Sequence, residues 1–211
     1  WRDIDLVLAC GDLKPDYLGY LADRFNTRVL YVRGNHDRNF GAESPGGCED
    51  IHGRLVHHRG IRILGIEGSI WYNGAGIQCR EYQVALSALS RRFKLWRSGG
   101  IDIVVSHSPP RFCAEAFQLC ETPVGDHALC PFRDRPGAEW QNCPEASDRA
   151  HWGYKTFQQM IDRYQPAYWI HGHTHAGYGM ADRWKQVGNT AIGDAYEQLV
   201  FEYPAPASAT E

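Results

Sequence analysis

Short apolar runs recur along the chain, each cut off by polar or turn-forming residues. "IDLVLAC" (4–10), "RVLYV" (28–32), "IDIVVSH" (101–107) and the start of "AYWIHGHTH" (167–175) are continuous rather than alternating. That is the pattern of strands buried on both faces of a parallel sheet. "GRLVHHRGIRILGIEGS" (53–69) reads as two short strands about a turn at Arg59-Gly60, and "YEQLVFEY" (196–203) as a late strand. Helical spacing appears in "PDYLGYLADRF" (15–25), which opens on a proline, and again over 80–98 and 151–164. Strands alternating with helices predict an α/β fold. A segment at about 108–150 carries Pro and Cys with weak periodicity, so a lid or inserted element is expected there within a single domain spanning 1–211.

The polar residues that stop these runs share a chemistry. The first run ends at Asp12, the second at Asn35 and His36, the third at His107 and the fourth at His173 and His175. Ligands of open α/β sheets bind outside the carboxyl ends of the strands. Each residue alone has a plain reading: a turn Asp, a satisfied core His, a tight turn at Gly172. Together they deliver a carboxylate, an amide oxygen and imidazoles to one edge, a donor set suited to Mn, Fe, Zn or Ni. No thiolate is among them, which argues against a Cys-rich structural zinc.

Composition narrows the class. The chain has 211 residues, 43% hydrophobic and 22% charged, and a net charge of −3. It has no basic field to recruit nucleic acid, and no run reaches the roughly 18 apolar residues of a membrane helix. Seven cysteines do not suggest an even disulfide framework, so a reducing, cytoplasmic setting is expected, with Cys10 in the core. Cys113, Cys120, Cys130 and Cys143, with His127 nearby, match no common zinc spacing; they read as scattered thiols of a lid or as a small zinc or disulfide staple. The tail "EYPAPASATE" is expected to fray.

Gly11-Asp12, then Gly34-Asn35-His36-Asp37, His107 and Gly172-His173-Thr174-His175, in that order, resemble the calcineurin-like metallophosphoesterase superfamily. The further layout through His52-Gly53-Arg54 and Gly68-Ser69-Ile70 is similar to a bacterial branch of it. The resemblance implies a four-layer α/β/β/α sandwich of two mixed sheets flanked by helices. It implies that Asp12 bridges two divalent ions, with manganese foremost and iron, zinc or nickel as alternatives. Asn35, His107 and His173 would complete one site, His175 would bind the other ion, and His36 would stand by the leaving group.

The family's first motif, Asp-x-His after an initial strand, has no counterpart before residue 4. Asp50-Ile51-His52 has that form but follows "GAESPGGCE" (41–49), which does not read as a strand, and so reads as a decoy. Because the chain opens "WRDIDLVLAC", the expectation is a further N-terminal segment with a buried strand ending in Asp, or else a degenerate second site.

A phosphate ester resists hydrolysis because its oxygens repel nucleophiles and hydroxide is scarce at neutral pH. A two-metal site answers both problems. Asp12 is the carboxylate placed to bridge, Asn35 adds an oxygen without adding charge, and His36 is free to protonate the leaving oxygen. Asp37 reads as an Asx turn or as an orienter of the loop. Asn73, in the loop 68–78, and His151 are candidate substrate contacts, and His171 reads as strand core. "LKPDYLGY" after Asp12 lacks the Asp-Arg-Gly of protein Ser/Thr phosphatases, and the low basic charge argues against a nuclease. The expected activity is hydrolysis of a small, nucleotide-like phosphomonoester or phosphodiester. The rival is a non-catalytic binding or scaffold protein on the same fold. Oligomeric state is not legible at this level.

Overall fold

Strand β1 (Leu6–Ala9) sends Val7 and Ala9 to one side, while Leu6, Leu8 and the following Cys10 face the other. Strand β2 (Arg28–Tyr31) runs parallel to it and alternates likewise, with Val29 and Tyr31 on the first side and Leu30 and Val32 on the second. This period of two buries both faces and explains why the runs read as continuous. The computed structural model describes residues 3–38, 40, 45–111, 151, 153–174 and 183–204.

Helix α1 (Pro15–Phe25) covers the Val7–Tyr31 side. Pro15 sits where a helix needs no N–H, Leu18 and Ala22 are one turn apart on the buried face, and Asn26 ends the helix with φ 48°. Strand β3 (Cys48–Asp50) adds to β2 in parallel, so β1, β2 and β3 form one sheet.

The second sheet contains β4 (Leu55–His58), β5 (Ile61–Ile66), β8 (Ile103–Ser106), β9 (Tyr168–His171), β10 (Trp184–Val187) and β11 (Thr190–Asp194), in the order β10-β11-β9-β8-β5-β4. Its four central strands are parallel and its two outer strands antiparallel, which makes the sheet mixed. A short parallel pair, β6 (Ser69–Ile70) and β7 (Gln78–Cys79), brackets the loop between them.

Ile63, Ile103, Val105 and Ile170 face the first sheet and meet Leu30 and Val32. Leu64, Val104, Trp169 and Ile192 face outward, under helices α2 (Glu81–Arg97) and α3 (Lys155–Tyr164). The layers are therefore helix, sheet, sheet, helix, as the α/β sandwich expectation requires. On the outer side Tyr154 packs on Phe157 and Phe157 on Trp169, with ring centroids 4.8 and 5.0 Å apart. Each fully buried aliphatic side chain in these layers contributes about 1.5–3 kcal/mol.

Three local expectations need correction. Residues 196–203 form no strand. Leu199, Phe201 and Tyr203 do alternate and do pack on the inter-sheet core, but side chains take the backbone carbonyls: Arg183 donates to Tyr196 and Gln198, and Tyr168 to Glu202. The last strands are β10 and β11, joined by the two-residue turn Gly188-Asn189, a hairpin signal that the run of mixed polarity concealed. The residues before Asp50-Ile51-His52 do include a strand, β3, although the motif still does not join the site described below. His175, His127, Cys113, Cys120, Cys130, Cys143, most of the expected insert and the end of the tail lie outside the described residues.

Candidate metal centre

Because β1, β2, β5, β8 and β9 run in parallel within their sheets, the strand ends deliver their loops to one edge. Gly11-Asp12 leaves β1, residues 34–37 follow β2, His107 ends β8, and Gly172-His173 ends β9. Backbone bonds fix the depth of each: Val32 N–H donates to Ala9, His107 N–H to Ile66 and Gly172 N–H to His107.

The first two loops are clasped by Asp37. Its Oδ2 accepts the N–H of Gly34 and the N–H of Asp12, both at 2.8 Å, and Asp12 Oδ1 accepts the N–H of His36 at 2.9 Å. Asp37 is thus more than an Asx turn, since it ties together loops 25 residues apart. Two glycines permit the approach. A Cβ on Gly34 would strike the Asp12 carboxylate, and one on Gly11, at φ 93°, would meet Gly34 and the His107 ring. Asp12 and His173 themselves adopt φ 56° and 68°, conformations that cost a non-glycine residue about 1 kcal/mol or more and cluster at functional sites.

His107 is buried, and burial, reinforced by the nearby imidazoles of His36, His171 and His151, pulls its pKa down to about 4. The ring is therefore neutral near pH 7 and carries one proton. Its Nδ1 lies 2.7 Å from the Cys10 carbonyl, which can only accept, so the proton is on Nδ1. The Nε2 lone pair then points at Asn35 Oδ1, 2.9 Å away, and at Asp12 Oδ2, 3.5 Å away. On its other side the Asn35 Nδ2 donates to the Tyr72 hydroxyl at 3.1 Å. With the amide oxygen turned to His107, electron pairs of the buried Asn35 and His107 and of the exposed Asp12 face one another. Such a corner repels itself unless a cation fills it.

His173 joins the group. Ligand atoms of Asp12, His107 and His173 lie within 4.8 Å of one another, and the His107 and His173 rings are 4.7 Å apart by centroid. Asp12, Asn35, His107 and His173 could therefore hold one divalent cation, with two imidazoles, one carboxylate and one amide oxygen. Asp12 Oδ1 points away from that corner, towards the His36 backbone, so the two oxygens of one carboxylate face different ways.

The other expected residues fall as follows. His36 is exposed at the mouth. His151 stands beside the site, its ring 4.9 Å from that of His173. Asn73 is not brought to the centre by its amide oxygen, which accepts from Ala75 N and Gln78 Nε2 within its own loop. Its neighbour Tyr72 makes the contact instead. His171 is buried strand core, as expected. Asp50 and His52 form a separate cluster: Asp50 accepts the His52 N–H, and His52 Nδ1 accepts the Glu67 N–H at 3.0 Å. Little in the sequence points to Asp194, whose carboxylate accepts the Thr174 hydroxyl at 2.7 Å and the Tyr196 N–H at 2.9 Å, anchoring the loop that bears His173.

The family model for calcineurin-like phosphoesterases matches residues 2–177. The crystal structure of TT1561 of Thermus thermophilus superposes with a TM-score of 0.55 at 13% identity, covering 91% of this chain and 76% of that one, a likeness of fold. No curated protein matches the chain. With the matched residues spanning most of its length, the chain belongs to the calcineurin-like phosphoesterase family.

Proposed function

We propose that the chain is a metal-dependent hydrolase of small phosphate esters, with a nucleotide-like monoester or diester as substrate. The family supports phosphoester hydrolysis in general. The observation that carries the reading for this chain is the convergence of His107 Nε2, Asn35 Oδ1, Asp12 Oδ2 and His173 on one corner. A divalent cation held there would supply Lewis acidity towards a phosphoryl oxygen and an acidified water.

The chain's own groups do the rest. Asn35 contributes an oxygen without a charge, so the site keeps a positive balance for an anionic substrate. Asp12, with its two oxygens facing different ways, is the group suited to reach a second ion, for which His175 is the expected ligand; manganese is the first expectation for both ions. His36, exposed and not held in the ligand corner, is placed to give a proton to the leaving oxygen. His151 beside His173 is suited to meet the substrate rather than the ion. We take residues 1–211 as one domain with an insert at about 108–150. No described helix is long and apolar enough to cross a membrane. Cys10, Cys48 and Cys79 are free thiols, in keeping with a reducing, cytoplasmic setting.

The test is turnover of a chromogenic phosphodiester and phosphomonoester by the metal-loaded protein. Release of nitrophenolate that needs Mn and is abolished in His107→Ala supports the reading. Tight metal binding with no turnover of either class moves the chain to the non-catalytic reading.

A further inference from the structure

Helix α2 is apolar on two faces. Val84 and Leu95 are buried, with Ala88 packed beside them, and this face lies on the second sheet and α3. Nearly opposite run Tyr82, Leu86, Leu89, Phe93 and Trp96, each between 55% and 74% exposed. Their spacing is four, three, four, three, the alternation that lines a helix–helix seam. A solvent-facing helix side ordinarily carries charge. Among the described residues no element covers this stripe, and Phe93 and Trp96 lean on each other, with centroids 5.9 Å apart.

We propose that this stripe is the dimer interface of the protein, with α2 packing on α2 of a second copy in antiparallel fashion about a two-fold axis near Leu89. The exposed area suits a pair of copies, and the arrangement of charge selects the direction. Residues 81–90 contain no Lys or Arg, whereas Arg91, Arg92, Lys94 and Arg97 crowd the last two turns. Parallel pairing would set Arg92 of one copy, which flanks the stripe, beside Arg97 of the other and crowd the two cationic ends together. Antiparallel pairing sets them against the half of the partner helix at 81–90 that holds no Lys or Arg, and opposes the two helix dipoles favourably. Ala85 and Ser90, the small residues flanking the stripe, let the helices approach closely.

The area is sufficient. At roughly 200 Å² for a large apolar side chain, the stripe offers about 600 Å² per copy. Two copies would bury about 1,200 Å², at the lower bound of specific interfaces. Leu89 lies midway along the stripe, so in a two-fold antiparallel pair it meets itself. Tyr82 then meets Trp96, and the two Tyr82 residues stand about 21 Å apart along the axis, at 1.5 Å rise per residue.

The experiment is sedimentation of the full chain at roughly 100 µM, where a dimer with a dissociation constant of about 1 µM is mostly formed, together with disulfide trapping read by peptide mass spectrometry. A dimer is expected, and Leu89→Lys should raise its dissociation constant at least about 100-fold while leaving the melting temperature of the monomer unchanged. Leu89→Cys should link to itself. Tyr82→Cys should not, but should link to Trp96→Cys. A monomer at that concentration overturns the proposal, as does a dimer unaffected by Leu89→Lys. Self-linking of Tyr82→Cys overturns the antiparallel arrangement.

Discussion

The hydroxyl of Tyr72 accepts the Asn35 Nδ2 hydrogen at 3.1 Å, while the Asn35 amide oxygen faces His107 Nε2 at 2.9 Å. With a cation on the amide oxygen, the hydroxyl accepts from Nδ2 and holds the amide in the metal-binding orientation, a hold that phenylalanine cannot supply. Tyr72→Phe should therefore lower metal affinity by about tenfold to a hundredfold, the usual cost of losing a group that orients a ligand. Unfolding should be unchanged, since Tyr72 sits in a surface loop. Calorimetric titration with Mn compares the variants; equal affinities would remove this role from Tyr72.

His36→Ala should reduce kcat by about a hundredfold or more on esters with poor leaving groups. It should cost far less on nitrophenyl esters, whose leaving group departs without a proton. Metal content should hold. A uniform loss on both ester types would transfer the general-acid role elsewhere.

Asp37→Ala should destabilise the fold by about 2–4 kcal/mol, because it leaves the N–H groups of Gly34 and Asp12 without their shared acceptor. Asp37→Asn keeps an oxygen in place and should lose less. Urea unfolding of the two variants decides; identical losses would mean that the clasp is not the cause.

Asp102 binds Arg62 through both carboxylate oxygens and also accepts the Arg62 backbone N–H, and the guanidinium holds its carboxyl below the usual range. A lowered folded pKa means stability that is full above the ordinary carboxylate pKa and is lost as pH falls through the folded value. Near neutrality Asp102→Asn should cost about 1–2 kcal/mol, allowing for partial exposure. The gap to the parent protein should close on acidification below about pH 4. A gap that stays constant on acidification to about pH 2, below the ordinary carboxylate range, would contradict the ion-pair account.

The strands and the ligand corner were legible because both rest on side chains whose type is visible in the sequence. Continuous apolar runs mark strands buried on two faces, and their polar stops mark the sheet edge where Asp12, Asn35, His107 and His173 gather. The supports were hidden for two reasons. The Cys10 carbonyl that sets the His107 tautomer is a backbone atom, identical in every residue. Tyr72 and Asp194 reach the site from loops whose proximity depends on strand order, which periodicity does not encode. Residues 196–203 misled because alternation reports a buried face, and a segment can bury one face without strand partners.

A cation at the meeting point of His107 and Asn35 is what the proposed chemistry requires above all. Crystals grown with Mn and measured at its absorption edge address this directly. The expected result is an anomalous peak about 2.0–2.3 Å from His107 Nε2, Asn35 Oδ1, an Asp12 oxygen and a His173 nitrogen. A fully loaded crystal with no peak at that corner, or with its peak beside Asp50 and His52 instead, would contradict it.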